Sequence, residues 1–136
     1  MNSLQNKDHK KIGVGIIFNQ QGEILIDRRL NSGEMAGLWE FPGGKIEQEE
    51  TVEECIKREI TEELGILVQV GKQLEVIEHN YPKFIVTIFF HYCQHISGNP
   101  KAIECSEFRW VKPTELNHYS FPEANYQIIN LLTSAN

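Results

Sequence analysis

The strongest repeating pattern of hydrophobic and polar positions lies in the middle of the chain. Four aliphatic residues recur there at intervals of four: Val52, Ile56, Ile60 and Leu64. This spacing lines one face of a helix. Thr51 and Glu54 fit a capping box at its start, and Gly65 stands where a left-handed residue commonly ends a helix. The pattern therefore predicts a helix over residues 51–64 with one buried face.

Most other hydrophobic residues fall in short runs rich in β-branched and aromatic side chains, which favour strands. The predicted strands cover residues 11–18, 23–29, 38–41, 66–70, 73–78, 83–93 and 108–111. The turn-forming residues 19–22 predict a hairpin between the first two strands, and residues 31–37 are predicted to form a loop. Pro42, Gly43 and Gly44 are predicted to end the third strand.

Two helical segments are expected towards the C-terminus. Residues 113–116 predict a single helical turn, and residues 122–132 predict a helix with Ile128, Ile129 and Leu132 facing inward. Strands thus come first, a helix lies in the middle, and a second helix closes the chain. This order indicates an α+β fold in which a mixed β-sheet lies between helices.

Length and charge narrow the possible classes of protein. A chain of 136 residues is the size of one domain, expected over residues 11–136, after a polar and flexible N-terminus at residues 1–10. There are 19 acidic residues against 13 lysines and arginines, a net charge of −6, which argues against stable nucleic-acid binding. Residues 45–63 hold eight glutamates against three basic residues, a local net of −5. Nearly all of the net charge therefore lies in the segment that contains the predicted helix.

Other patterns exclude further classes. The three cysteines, Cys55, Cys93 and Cys105, form no paired framework and no Cys-x-x-Cys motif, so we expect buried free thiols. No apolar run is long enough to span a bilayer or to serve as a signal peptide. The sequence therefore predicts a cytoplasmic protein without a membrane partner, expected to be a monomer.

Three glutamates of the predicted helix carry the most informative spacing. Glu59, Glu62 and Glu63 stand at i, i+3 and i+4, so they gather on one face beside the apolar stripe, where their charges repel each other. A plain acidic surface is one explanation. A metal site is the other, and it is favoured by Gly43-Gly44 just upstream and by Arg58, which could orient a carboxylate through a bidentate pair.

Carboxylate oxygens suit hard divalent ions such as Mg²⁺ or Mn²⁺, which bind a few carboxylates together with substrate phosphates. The residues alone therefore indicate a metal-dependent enzyme that acts on a polyphosphate.

The segment has a specific resemblance to a known motif. Residues 44–66 read GKIEQEETVEECIKREITEELGI. They resemble the Nudix box, a motif in which glycine, glutamate, arginine and aliphatic residues stand at fixed intervals. This segment has the required residue at every fixed position of the motif, with the same intervals. The resemblance implies an α/β/α sandwich with the box as a loop–helix–loop. It also implies hydrolysis of a nucleoside diphosphate linked to another group, with Mg²⁺ or Mn²⁺ as cofactor.

The resemblance also implies roles for residues in and near the box. The implied metal ligands are Glu59, Glu62, Glu63 and the backbone carbonyl of Gly43. Arg58 would orient Glu59, Gly44 would allow a close backbone turn, and Glu50 would help near the metals. The general base is left open between Glu59, Glu50 and Glu104.

Outside the box the chain resembles the MutT branch of the Nudix hydrolases, which removes oxidised guanine nucleotides. The resemblance is carried by residues 14–17, 28–29, 39–47, 81–82 and 121–125. It implies hydrolysis of 8-oxo-dGTP at the β-phosphorus, giving the monophosphate and pyrophosphate. The implied substrate contacts are Arg29, Phe41, Tyr81 and Asn125, and Glu104 would be a further glutamate near the metal.

Each of these residues also has a simpler explanation. Asn125 could cap a helix, Arg29 could form a surface ion pair, Phe41 and Tyr81 could pack in the core, and Glu104 could be a solvated loop residue.

Two other functions stay open. Glu123 replaces a proline of the MutT pattern, and the stretch leading into the box is also found in pyrimidine-nucleotide hydrolases of the superfamily. A non-catalytic module that recognises oxidised guanine is the third possibility, although such modules usually lack box carboxylates.

Overall fold

The computed structural model describes residues 7–30 and 35–134. The predicted flexibility of residues 1–6 and the predicted loop at residues 31–34 lie outside that part. The described strands are β1 (Asp8–Phe18), β2 (Ile24–Arg28), β3 (Trp39–Glu40), β4 (Gly43–Lys45), β5 (Leu67–Asn80), β6 (Phe84–Ser97) and β7 (Glu107–Val111). The described α-helices are α1 (Val52–Leu64) and α2 (Tyr126–Ser134), with 3-10 helices at Pro113–His118 and Glu123–Asn125.

One sheet joins all seven of the described strands. Its main order is β3-β2-β1-β6-β5, with β4 paired to β1 and β7 paired to β2. The pairing of β1 with β6 is parallel and runs from Asp8 opposite Phe84 to Phe18 opposite Gln94. The other strand pairs are antiparallel. The sheet is therefore mixed, as predicted.

The two helices cover opposite faces of this sheet. Successive strand residues point to opposite sides, so neighbours in sequence join different cores. Ile17 packs in the core formed with α1, whereas Ile16 packs in the core formed with α2. Leu25 and Ile26 divide between the two cores in the same way. The predicted α/β/α sandwich is thus confirmed.

Helix α1 has the ends that its sequence predicts. The Thr51 hydroxyl accepts a hydrogen bond from the Glu54 backbone N–H at 3.0 Å, and the Glu54 carboxylate accepts one from the Thr51 N–H at 2.9 Å. Gly65 ends the helix with a left-handed φ of 69°. Ile56, Ile60 and Leu64 are fully buried. These contacts fix which face of α1 carries Glu59, Glu62 and Glu63.

Several element boundaries differ from the prediction. Strand β1 begins at Asp8, before the predicted Lys11, because its polar first residues pair with β6. Gly43 and Gly44 do not end a strand but form β4, opposite Val14 and Gly13. The two strands predicted over residues 66–78 are one strand, β5, with register shifts where the prediction had a break. Long-range pairing, which local composition does not report, decides each of these cases.

The C-terminal helix is shorter than predicted. Residues 123–125 form a 3-10 turn, and regular α-helix begins only at Tyr126. Ile128, Ile129 and Leu132 are buried, as predicted. The turn places Ala124 and Asn125 against the sheet before α2 begins, and both are buried.

Candidate active site

The centre of the candidate site is Arg58, at the middle of α1. Its Nε and Nη2 donate to the two carboxylate oxygens of Glu50 at 2.6 and 3.0 Å. Its Nη1 donates to Glu59 at 2.9 Å and to Glu62 at 3.1 Å, and Nη2 also donates to the Lys45 carbonyl at 3.1 Å. Arg58 therefore contacts Glu59, as the resemblance implies, but its bidentate pair is with Glu50.

This network keeps both partners of the bidentate pair charged. The hydrogen bond from Arg58, followed by that from the Glu47 backbone N–H, lowers the pKa of Glu50 to about 2. The same hydrogen bond raises the pKa of Arg58 above its already high ordinary value. Glu50 is accordingly an anion throughout the neutral range, and it holds the loop before α1 against the middle of the helix.

Two glycines let strand β4 pass close to both β1 and α1. A Cβ atom on Gly44 would overlap the carboxylate of Glu59, and one on Gly43 would overlap the backbone of Gly13. Gly44 therefore leaves the space that the Glu59 side chain occupies. This close approach agrees with the role that the sequence predicts for Gly44.

A second group of carboxylates lies on the other side of Glu59. Glu63 is buried, with 8% of its surface exposed, and faces Asp27 and Glu40. Oxygens of these three side chains lie within 4.8 Å of one another. Burial, followed by the charges of Asp27 and Glu40, raises the pKa of Glu63 well above its ordinary value. Burial and the charge of Glu40 likewise raise the pKa of Asp27.

The sequence patterns described above indicate no role for Asp27 or Glu40. Asp27 follows the apolar run Ile24–Ile26 inside a buried strand, and Glu40 lies directly opposite it on β3. A charged residue within a run predicted to be a buried strand could have marked Asp27 as a candidate site residue. Nothing local to Glu40 indicated that its carboxylate would meet one from α1.

Glu104 lies beside this carboxylate group. Its backbone N–H donates to the Glu63 carbonyl at 3.3 Å, so the loop is fastened to the C-terminal end of α1. One cavity is lined by Arg29, Leu30, Glu40, Gly43, Glu63 and Glu104. The structure thus brings three of the predicted metal ligands, Gly43, Glu63 and Glu104, to one cavity. Glu59 and Glu62 lie on the Arg58 side of α1.

A second, largely apolar cavity adjoins the first. All four predicted substrate contacts line it: Arg29, Phe41, Tyr81 and Asn125. Arg29 and Glu40 line both cavities and form an ion pair at 3.0 Å, so these two residues stand where the cavities meet. An apolar chamber joined to a carboxylate-lined one can hold a flat aromatic group beside a metal-bound phosphate chain.

The simpler explanations also describe part of what these residues do. The Phe41 ring packs on Phe121 at 5.0 Å between centroids, and the Tyr81 ring packs on Phe84 at 4.8 Å. The side-chain Nδ2 of Asn125 donates to the Pro122 carbonyl at 3.4 Å, a contact within the turn that precedes α2. Arg29 does form an ion pair, but its partner Glu40 lies within the site.

The donor set fits a divalent cation. It consists of carboxylate oxygens, the ligands that Mg²⁺ and Mn²⁺ prefer, and two of the carboxylates are buried where a compensating positive charge is required. A cation bound there would offset the negative charge of substrate phosphates and activate water for attack.

The three cysteines are free and buried, as predicted.

Comparison with known proteins assigns the family. The profile of the NUDIX domain family matches residues 13–131, which is most of the chain. The chain is a Nudix hydrolase. Divalent metal is the cofactor that Nudix hydrolases generally use, in keeping with the carboxylate cavity, and their substrates are nucleotides.

The relatives of this Nudix hydrolase include two kinds of nucleotide pyrophosphohydrolase. The 8-oxo-dGTP diphosphatase of Escherichia coli (strain K12) is 40% identical over 119 residues, 88% of this chain and 92% of the relative. The CTP pyrophosphohydrolase of the same organism is 30% identical over 116 residues, 85% of this chain and 86% of the relative. The crystal structure of the MutT protein from Methanosarcina mazei Go1 superposes with a TM-score of 0.85 at 25% identity and covers 96% of each chain.

The MutT-like fold that the sequence predicts for this Nudix hydrolase is therefore confirmed. Among the described residues, no helix has the length and apolar character needed to cross a membrane.

Proposed function

We propose that this Nudix hydrolase converts 8-oxo-dGTP to its monophosphate and pyrophosphate with Mg²⁺, Mn²⁺ being a possible substitute. The activity would remove oxidised guanine nucleotides before a polymerase incorporates them. The observation that carries the proposal is the junction of the two cavities at Arg29 and Glu40. It leaves an apolar chamber with an amide at Asn125 on one side and a carboxylate-lined chamber on the other.

The roles that we propose for the residues of the carboxylate-lined chamber follow from this geometry. Metal would be held by the carboxylates of Glu59, Glu62, Glu63 and Glu104 and by the carbonyl of Gly43. Arg58 and Glu50 would hold Glu59 in position through the network around the guanidinium. Attack of water on the β-phosphorus would break its bond to the oxygen that bridges to the α-phosphorus, so that the nucleoside monophosphate leaves and the β- and γ-phosphates become pyrophosphate.

The proposed base site lies in the apolar cavity. Asn125 would read the purine edge, because its side-chain amide offers one acceptor and two donors. The backbone of Phe41 would contact the base, Tyr81 would lie against it, and Arg29 would contact the nucleotide. Arg29, Phe41 and Tyr81 directly follow strands β2, β3 and β5, and Asn125 lies in the turn before α2, so the cavity is specific to the folded chain.

A second candidate substrate is CTP or dCTP. The relative named CTP pyrophosphohydrolase favours it, since it matches most of this chain. A substrate panel distinguishes the two candidates: pyrophosphate release is measured with 8-oxo-dGTP, dGTP, CTP and dCTP at equal concentration and saturating Mg²⁺. We expect the highest kcat/KM for 8-oxo-dGTP. A higher kcat/KM for either cytidine nucleotide would contradict the proposal.

The metal site has its own test. Glu59→Gln and Glu62→Gln remove carboxylate charge from the proposed ligand set with little change in shape, so we expect each to lower kcat by at least about 100-fold. Glu53→Gln is the matched control, since Glu53 is exposed in the first turn of the same helix. Near wild-type rates in both test variants would contradict the assignment. A wild-type protein that binds 8-oxo-dGTP without releasing pyrophosphate would be a recognition module instead.

The proposal also concerns the assembly and location of the enzyme. The net charge of −6 opposes stable binding to nucleic acid, and we propose that the enzyme acts as a cytoplasmic monomer on free nucleotides. Sedimentation equilibrium at several protein concentrations tests the monomer, and cell fractionation tests the location.

A further inference from the structure

Asp27 lies where an aspartate has no evident structural use. It is fully buried in β2, directly after the core residues Ile24, Leu25 and Ile26. Among the residues that the structure describes, no nitrogen donor hydrogen-bonds to either carboxylate oxygen of Asp27, and the side chain whose hydrogen bonding helps to raise the pKa of Asp27 is another carboxyl group, that of Glu40. Buried carboxylates are normally hydrogen-bonded or bound to a cation, because an unpaired one pays the full cost of desolvation.

The neighbours of Asp27 are carboxylates. Glu40 stands opposite it on β3, and Glu63 reaches it from α1 across the face of the sheet. Oxygens of the three side chains lie within 4.8 Å of one another. Ligand oxygens at about 2.0–2.6 Å from one divalent ion are no more than about 5 Å apart, so this spacing is that of one coordination shell.

The protein supplies only part of the positive charge that this group requires. Arg29 binds Glu40 at 3.0 Å, at the solvent side of the group, where 43% of the Arg29 side chain is exposed. Asp27 and Glu63 are the two buried members, and no positively charged donor hydrogen-bonds to Asp27 among the described residues. A cation between the three carboxylates would satisfy the oxygens that the protein leaves without donors.

We propose that Asp27 is a metal ligand that β2 contributes from outside the Nudix box, and that one divalent cation is bound by Asp27, Glu40 and Glu63. The use of this cation in hydrolysis rests on the proposed function, but its binding does not. Because its ligands come from two strands and from α1, the cation also ties the box helix to the sheet. Its loss therefore lowers stability as well as activity.

The test uses the full chain, freed of metal and without nucleotide. Binding of Mn²⁺ alone is measured by calorimetry and by the electron paramagnetic resonance signal of free Mn²⁺, and the melting temperature is measured with and without the ion. We expect Asp27→Asn, which keeps the shape of the side chain, to weaken the tightest Mn²⁺ site by at least about 10-fold. The rise in melting temperature on adding Mn²⁺ also becomes smaller. Glu53→Gln removes an exposed carboxylate and behaves as the wild type.

Two results overturn the proposal. One is an Asp27→Asn protein with wild-type Mn²⁺ affinity and a wild-type rise in melting temperature. The other is failure of both Asp27→Asn and Asp27→Ser to fold without metal, because that would assign Asp27 to the fold itself. The substrate panel is independent of both results: preference for a cytidine nucleotide removes the proposed substrate and leaves the Asp27 ligand in place.

Discussion

The guanidinium group of Arg58 binds both carboxylate oxygens of Glu50, at 2.6 and 3.0 Å. The two residues belong to different elements, since Glu50 lies in the loop before α1 and Arg58 in the middle of the helix. The same guanidinium contacts Glu59 at 2.9 Å. Arg58 therefore links the loop that carries Glu50 to Glu59, a proposed metal ligand.

The first prediction concerns the planar shape of the Arg58 guanidinium group. Arg58→Lys keeps the charge but cannot contact Glu50 with two nitrogens and Glu59 with a third. We expect kcat to fall about 100-fold, because a small displacement of Glu59 misplaces the reacting groups. Steady-state kinetics measures the change, with Lys57→Arg on the exposed neighbouring position as control. A kcat for Arg58→Lys within threefold of the wild type would show that Arg58 acts only through its charge.

The second prediction concerns the space beside Glu59. A methyl group on Gly44 would overlap the Glu59 carboxylate, so Gly44→Ala displaces Glu59 or strand β4. We expect a loss of activity of at least about 10-fold. Gly22→Ala is the control: Gly22 has a φ of 77° and open space around it, so the substitution costs about 1 kcal/mol of stability and leaves activity unchanged. Full activity in Gly44→Ala would disprove the close approach.

Much of helix α1 could be predicted because the interactions that define it are local. Thr51 and Glu54 cap each other three residues apart, and Gly65 ends the helix by its own backbone conformation. The spacing of Glu59, Glu62 and Glu63 follows from the same helix. Any segment whose structure depends on neighbours within one or two turns can be inferred in this way.

The remaining features depend on residues far apart in the sequence. Gly43 and Gly44 look like a turn, and they form a strand only because β1 lies beside them. The carboxylate group joins Asp27 of β2 to Glu63 of α1, and no local pattern relates the two. Sequence patterns therefore indicated which carboxylates belong to the box and missed those that the sheet adds to it.

The third prediction concerns substrate choice. Asn125→Ala removes the hydrogen bonds that the amide would make to the edge of a bound purine, so we expect kcat/KM for 8-oxo-dGTP to fall about 10- to 100-fold. The matched control is Asn130→Ala, at an exposed position on α2. The melting temperature is measured alongside, because Asn125 also donates to the Pro122 carbonyl. Unchanged preference among the four nucleotides would remove Asn125 from the base site.

The fourth prediction concerns acid stability. The pKa of Glu50 is about 2 in the folded protein, against an ordinary value of 4.5, so the folded state favours the charged form. Its contribution to stability is complete above pH 4.5 and is lost as the pH falls towards 2. We expect Glu50→Gln to melt below the wild type at pH 7, with a difference that narrows between pH 5 and about 3. A difference independent of pH would mean that the Glu50 charge does not stabilise the fold.

The parallel pairing of β1 with β6 has a consequence for synthesis on the ribosome. Asp8 pairs with Phe84 and Phe18 with Gln94, so β1 cannot complete its pairing until β6, which is synthesised much later, has been made. A nascent chain that has just completed α1 already carries Glu59, Glu62 and Glu63, yet the centre of the sheet beneath them is missing. Closing so long a loop is slow and costly in entropy. The proposed ligands on β2, β3 and α1 therefore rest on a complete sheet only after β6 and the Glu104 segment that follows it have left the exit tunnel.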